Sequence, residues 1–172
     1  MKSLLIYSTT DGHTKKICDF IKSNSVKNNF DILSIFKINE INLNDYELIV
    51  LGASIRYGKH NSIVYRFIKS NKDILSLKKN AFFSVNVVAR KPEKNSPETN
   101  PYIKKFLKKS RWYPTKIGVF AGKVDYPNYN FLNKLIIRLI MYMTKGPTDT
   151  SQSYEFTDWN IIKKFTNELE SL

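Results

Sequence analysis

The feature that most constrains this chain is a repeated switch between two side-chain periods. Runs of short-period or fully apolar residues at 4–7, 31–36, 47–52, 81–88 and 116–121 read as strands. Between them lie helical patterns. Residues 13–25 bring Ile17, Phe20 and Ile21 to one face, and residues 62–70 bring Ile63, Phe67 and Ile68 together. A third helix, from residue 102 to near residue 111, carries Tyr102, Ile103, Phe106 and Leu107, with Lys104, Lys105, Lys108 and Lys109 on its other face. Strand and helix in alternation demand right-handed crossovers and a parallel, doubly wound sheet. The run at 47–52 is apolar on both faces, as a central strand covered by helices requires. The expected fold class is therefore α/β, five parallel strands in the order 2-1-3-4-5, with a ligand crevice at the carboxyl ends of strands one and three.

The regularity breaks at Gly122. Residues 123–153 intervene before a closing helix at 158–169, which is preceded by Tyr154-Glu155-Phe156, read as the second half of strand five or as an edge strand. Inside the insertion Phe131, Leu132, Leu135, Ile136, Leu139, Ile140 and Met143 recur at helical spacing around Lys134 and Arg138. An ordered insertion of this length is usually functional. The whole chain, residues 1–172, is expected to form a single domain carrying this inserted helix. Its apolar stripe with two cations suits an element lying on a membrane or covering a hydrophobic substrate; closing the core is the other reading.

The formal net charge of +13 implies an anionic partner, such as nucleic acid, an anionic membrane surface or an acidic substrate. A single cysteine, Cys18, excludes an internal disulfide and a cysteine metal cluster, and it reads as helix packing. No apolar run approaches the roughly 20 residues that a span needs. The sequence opens directly on a strand, so residence on the cytoplasmic side is expected, with any membrane contact peripheral.

Three loops converge on the crevice of such a sheet. The first, Ser8, Thr9, Thr10, Asp11, Gly12, His13 and Thr14, leads from an apolar strand straight into a helix. Hydroxyls and helix N-terminal amides suit a phosphate monoester; ordinary capping of a strand-to-helix turn is the plainer reading. It has neither the Lys and spacing of a nucleoside triphosphate loop nor a G-x-G-x-x-G. The second loop, Ala53, Ser54, Ile55, Arg56, Tyr57 and Gly58, offers an aromatic ring beside a flexible glycine. The third, Ser84, Val85, Asn86, Val87 and Val88, offers backbone amides and an amide side chain for the edge of a heterocycle. One phosphate and one planar ring describe an FMN site, with no metal. Each residue also has a plainer reading: Tyr57 packs on a helix, Arg56 is a surface charge, Asn86 bonds its own turn, and His13 faces solvent or neighbours the phosphate. His60 shows no partner. No Ser/His/Asp or Cys/His set is placed for nucleophilic catalysis, which favours a cofactor over side-chain chemistry.

The strings Gly52-Ala53-Ser54-Ile55-Arg56-Tyr57-Gly58 and Ser84-Val85-Asn86-Val87-Val88-Ala89-Arg90-Lys91-Pro92-Glu93-Lys94, with Thr148-Asp149-Thr150 and Thr157-Asp158-Trp159, resemble the bacterial menaquinone-dependent protoporphyrinogen oxidases. The likeness spans almost the whole chain in order, and the Ala89–Lys94 string is its most specific part. The resemblance implies a flavodoxin-like FMN enzyme of haem biosynthesis. It would oxidise protoporphyrinogen IX to protoporphyrin IX, pass electrons to a membrane quinone, and sit at the cytoplasmic face of the inner membrane. It also extends the FMN contacts to Thr148, Asp149 and Thr150, while no catalytic acid or base is carried over. Arg90, Lys91 and Lys94, with the lysine face of the third helix, would meet the substrate's propionates; a solvated face is the plainer reading. A flavodoxin-type electron carrier docking on protein partners is the alternative, against which the charge of +13 counts, since such carriers are generally acidic. A nucleic-acid module would need aromatic platforms among the lysines, and only Trp112-Tyr113 are close, so nucleic acid is not expected as a partner. A homo-oligomer is compatible with the sequence.

Overall fold

A computed structural model describes all 172 residues. Five parallel strands form its sheet: β1 (Lys2–Ser8), β2 (Asn29–Ser34), β3 (Leu48–Arg56), β5 (Lys79–Val85) and β6 (Lys116–Phe120), ordered β2-β1-β3-β5-β6. In order of appearance this is the anticipated 2-1-3-4-5 arrangement. A two-residue strand, β4 (Lys59–His60), folds back antiparallel on the end of β3.

Helices α1 (His13–Asn24) and α6 (Trp159–Leu169) cover one face; α2 (Ser62–Ser70), α3 (Lys72–Leu77) and α4 (Pro101–Ser110) cover the other. The strand period sorts the core between them. Leu4, Ile6, Ile49, Leu51 and Phe82 pack with Val64, Phe67, Ile103 and Phe106. Leu5, Val50 and Phe83 pack with Ile17, Ile21, Ile162 and Phe165. Phe82 and Phe106 stack at 3.9 Å between ring centroids. Gly52, at the centre of β3, has no room for a side chain: a Cβ there would lie 2.2 Å from the ring of Phe83.

Several expected boundaries shift. Strand two ends at Ser34, because Ile35–Glu40 winds into 3₁₀ turns that tuck Ile35 into the core. Strand four ends at Val85, where Asn86 caps a 3₁₀ turn through Val87–Arg90. Tyr154 does not continue strand five: β8 (Ser153–Glu155) pairs antiparallel with β7 (Lys123–Asp125) in a separate ribbon. Asp158 is the N-cap of α6, accepting from Asn160 and Ile161 N–H groups, so the helix proper starts at Trp159. The short α3 was not anticipated.

The insertion folds as expected into α5 (Phe131–Met143), capped by the Asn130 side chain. Met141 is its one buried residue, packed with Val124 and Tyr126 in a small third cluster. Phe131, Leu132, Leu135, Leu139, Tyr142 and Met143 stay exposed, the two mid-helix leucines at 54% and 59%.

Candidate functional site

The carboxyl ends of β1, β3 and β5 open into one crevice, bounded on its fourth side by β7 and α5. Its narrow end lies at the first loop. Gly12 holds a left-handed conformation (φ 81°) as the N-cap of α1, and no side chain caps the helix. Its first-turn N–H groups therefore lack the usual acceptor. Thr14, fully buried in that turn, has a hydroxyl with no hydrogen-bond partner. An orphaned buried hydroxyl costs roughly 1–3 kcal/mol unless something fills the place. No carboxylate occupies the first turn of the helix. This end of the crevice is built for an oxyanion, and a phosphate monoester fits it.

His13, next in the turn, is held outward. Thr157 donates its hydroxyl proton to the Ala121 carbonyl at 2.8 Å, so at 2.6 Å it must accept from His13 Nε2–H. Burial draws the His13 pKa below its ordinary value, with Glu155 opposing and Lys16 and Lys123 assisting. Lys16 bridges Glu155 at 2.9 Å, tying α1 to the β7–β8 ribbon.

The wide end is a crevice of about 340 Å³ walled by Ile55, Tyr57, Val87, Val88, Tyr102, Val124 and, from α5, Ile137, Ile140 and Met141. Tyr57 and Gly58 both have positive φ (49° and 75°) between the paired residues Arg56 and Lys59. That is a two-residue hairpin turn, in which the first position is strained for any residue but glycine or asparagine. The strain holds the Tyr57 ring out at 44% exposure, along the crevice wall, with its hydroxyl on the Asn133 side chain of α5. Arg56 spans from the second loop to the first, bonding Asp11 at 2.7 Å, and Tyr129 donates to the same carboxylate at 3.2 Å. A flat, largely apolar slot thus runs from the phosphate-type cradle to the inserted helix, which is the shape an isoalloxazine ring on a ribityl phosphate requires.

Not every anticipated residue reaches it. Thr9, Thr10, Asp11, His13, Thr14, Ser54, Ile55, Arg56, Val85, Asn86 and Val87 line the narrow end, and Tyr57, Gly58 and Val88 the wide end. Ala53 is fully buried in the α2–α4 core, and Ser84 is buried with its hydroxyl 3.0 Å from His60 Nε2, so His60 does have a partner. The Asn86 side chain is spent on its own turn and its neighbours: it accepts from Ala89 N–H (3.0 Å) and Asn100 (3.3 Å) and donates to Ser84 (3.3 Å). What this loop offers a heterocycle is backbone. Thr148, Asp149 and Thr150 lie outside the crevice lining, where Asp149 binds Ser151 and Gln152 of its own turn.

Arg90 is corrected more sharply. Its guanidinium donates to the Val87 carbonyl at 2.9 Å and the Thr144 carbonyl at 2.7 Å, and it lies over the Phe156 ring. It clamps the end of α5 to the third loop and is not free for a propionate. Lys91 and Lys94 sit on the far side of that loop, away from the crevice lining. Lys123, Tyr102 and Tyr129, by contrast, belong to the crevice without having been singled out. Trp112 is 95% buried, which leaves Tyr113 without its neighbour as a base-stacking platform.

A five-stranded 2-1-3-4-5 sheet with an anion cradle after its first strand and an apolar slot between its second and third loops is a flavodoxin-type domain. A family model described as a flavodoxin domain matches residues 4–151. Crystal structures of two oxidised Bacillus cereus flavodoxins superpose with TM-scores of 0.54 and 0.52 at 16% and 15% identity, covering 99% of this chain and 98–99% of theirs, a likeness of fold. A curated relative from Leishmania major, named protoporphyrinogen IX dehydrogenase [quinone], is 43% identical over 99% of this chain and 75% of its own. One of the same name from Escherichia coli K12 is 40% identical over 100% of this chain and 96% of its own. The chain belongs to the flavodoxin-domain family and, within it, to the group of these quinone-linked protoporphyrinogen IX dehydrogenases.

Proposed function

We propose that the protein binds FMN and oxidises protoporphyrinogen IX to protoporphyrin IX with a quinone as acceptor. The observation that carries the reading is the crevice itself. An uncapped helix start and an orphaned Thr14 hydroxyl stand at one end and an apolar slot at the other, in a chain matched end to end by relatives of that name. When bound, FMN supplies the redox chemistry, taking hydride equivalents from one partner and releasing electrons to another. Six electrons and six protons leave the porphyrinogen, so each porphyrin formed requires three quinones.

The chain's own work is positioning. The α1 N-terminus and the Thr14 hydroxyl hold the phosphate. The strained Tyr57 turn presents a ring to one face of the slot, and the backbone at Val87 and Val88 borders the other. The Arg56–Asp11 pair, with Tyr129, closes the side between the first and second loops. Ile137, Ile140 and Met141 of α5 keep water from the slot.

The same reading extends to a membrane. The outward face of α5 carries Leu132, Leu135, Leu139 and Met143 at helical spacing, flanked by Lys134 and Arg138. No helix is long and apolar enough to cross a bilayer, and such a stripe suits a helix lying in the interface plane. Peripheral attachment there, at the cytoplasmic face of the inner membrane, would bring the slot close to a membrane quinone.

The test is anaerobic incubation of the FMN-loaded protein with protoporphyrinogen IX and a soluble menaquinone analogue. Porphyrin fluorescence is expected to grow well above controls holding FMN alone. Growth no faster than those controls would sink the proposal.

A further inference from the structure

A second cavity, of about 400 Å³, lies on the α2–α4 side of the Arg56–Tyr57 wall and shares that wall with the flavin slot. Nothing so far described uses it. No carboxylate lines it. Lys59 of the β3–β4 hairpin and Lys109 at the end of α4 both border it, and neither makes a salt bridge, while Arg56 on the shared wall is engaged by Asp11 on its far side. Ser8 forms its floor. It is 96% buried at the end of β1, on the same strand face as Leu4 and Ile6, and its hydroxyl makes no hydrogen bond. The start of α2 opens into the same space at Ser62, next to its Asn61 cap. His60 borders it too, 96% buried, with Nε2 on Ser84 and no bond from Nδ1.

Two unpaired cations, a buried donor without an acceptor and a helix start converge from four elements, with no negative charge among them. That is the chemistry of a carboxylate site. We propose that this cavity receives a propionate carboxylate of the tetrapyrrole while its macrocycle faces the flavin slot across Tyr57. The assignment rests on the substrate reading above and adds to it the residues that would distinguish a porphyrinogen with free acids from an uncharged analogue. It also replaces the Arg90 loop, whose guanidinium is committed elsewhere, as the place where the propionates are met.

Protoporphyrin IX and its dimethyl ester share a macrocycle and differ in these carboxylates, so they separate the pocket from the slot. Binding of each to the FMN-loaded protein, followed by quenching of porphyrin fluorescence, is expected to favour the free acid by about tenfold. Lys59→Met/Lys109→Met should lose that preference and bind the ester as the unsubstituted protein does. Lys59→Arg/Lys109→Arg should restore much of the preference. Both lysines are exposed, and thermal unfolding will show that the variants are folded. Equal binding of acid and ester by the unsubstituted protein would overturn the proposal, as would a methionine variant that keeps the preference or weakens both ligands alike. If protoporphyrinogen is turned over and esterification makes no difference, only the pocket assignment falls. If it is not turned over at all, the substrate reading falls with it.

Discussion

The two ends of the crevice are built on opposite terms. At the first loop the site is set from within: Thr14 is packed to zero exposure, α1 is anchored by Ile17, Cys18 and Ile21, and only a small polar place is left open. At α5 the reverse holds. One residue of thirteen is buried, and the helix is tethered by the Arg90 clamp and by the Tyr57–Asn133 contact, while its leucines face outward. The first end is complete except for its ligand; the second is complete only against a surface. The cofactor end is thus dictated by the core, and the specific end by what the protein meets.

The largest effect that would sharpen this contrast is expected at the core. Gly52→Val would drive a side chain into the Phe83 ring and should cost about 3 kcal/mol or more. For a domain of this size that is roughly a 6–12 °C fall in melting temperature. Retention of the parent melting temperature would mean that the sheet beneath the crevice is not rigid.

Thr14→Val probes the cradle with a change of shape close to zero. It removes a hydroxyl that has no partner in the protein, so the apoprotein should be as stable or up to about 1 kcal/mol more stable. FMN binding should weaken about ten- to a hundredfold, as measured by titration. A loss of apoprotein stability would show that the hydroxyl serves the fold.

Acid should act on the same half. His60 is buried among Phe82, Phe106 and Tyr65, and burial, aided by Lys105, brings its pKa down to about 3. Between pH 6.5 and that value the unfolded chain binds more protons than the folded one, so stability falls as pH falls. The loss between pH 6.5 and pH 5 is about 2 kcal/mol, with His13 adding in the same direction. In His60→Gln, denaturant unfolding at these two pH values should show a much smaller difference.

Smaller changes belong to the other end. Tyr57→Gly relieves a left-handed backbone that costs a non-glycine residue roughly 1–2 kcal/mol, partly offset by glycine's greater freedom when unfolded. The apoprotein should gain about 0.5–1 kcal/mol, and bound flavin should fluoresce more strongly for want of the ring. Leu135→Glu/Leu139→Glu should change stability in water by less than about 0.5 kcal/mol. Flotation with anionic vesicles should nevertheless fail for this variant and succeed for the parent. A large loss of stability would place α5 in the core and erase the contrast.

The sheet and its order were legible because strand and helix periods are local: the alternation of Leu4, Leu5 and Ile6 between two cores needs no knowledge of distant residues. The first loop was legible for the same reason. What stayed hidden was set by contacts far apart in sequence. Arg90 sits in a lysine-bearing loop and looked like an anion contact, but its partner Thr144 lies 54 residues on. His60 found Ser84 on a neighbouring strand. Lys123, Tyr102 and Tyr129 reach the crevice because the β7–β8 ribbon and α4 are folded beside it, and no motif marks them. The inserted helix announced its apolar stripe, but not that Met141, Ile137 and Ile140 turn inward while Leu135 and Leu139 turn out.

The most direct measurement is a single anaerobic mixing of the FMN-loaded protein with protoporphyrinogen IX in the absence of quinone, following flavin absorbance and porphyrin fluorescence together. Loss of the oxidised flavin band in step with the appearance of porphyrin, and its return when a menaquinone analogue is added, is the predicted result. A flavin band that stays oxidised in the presence of excess protoporphyrinogen would contradict the account.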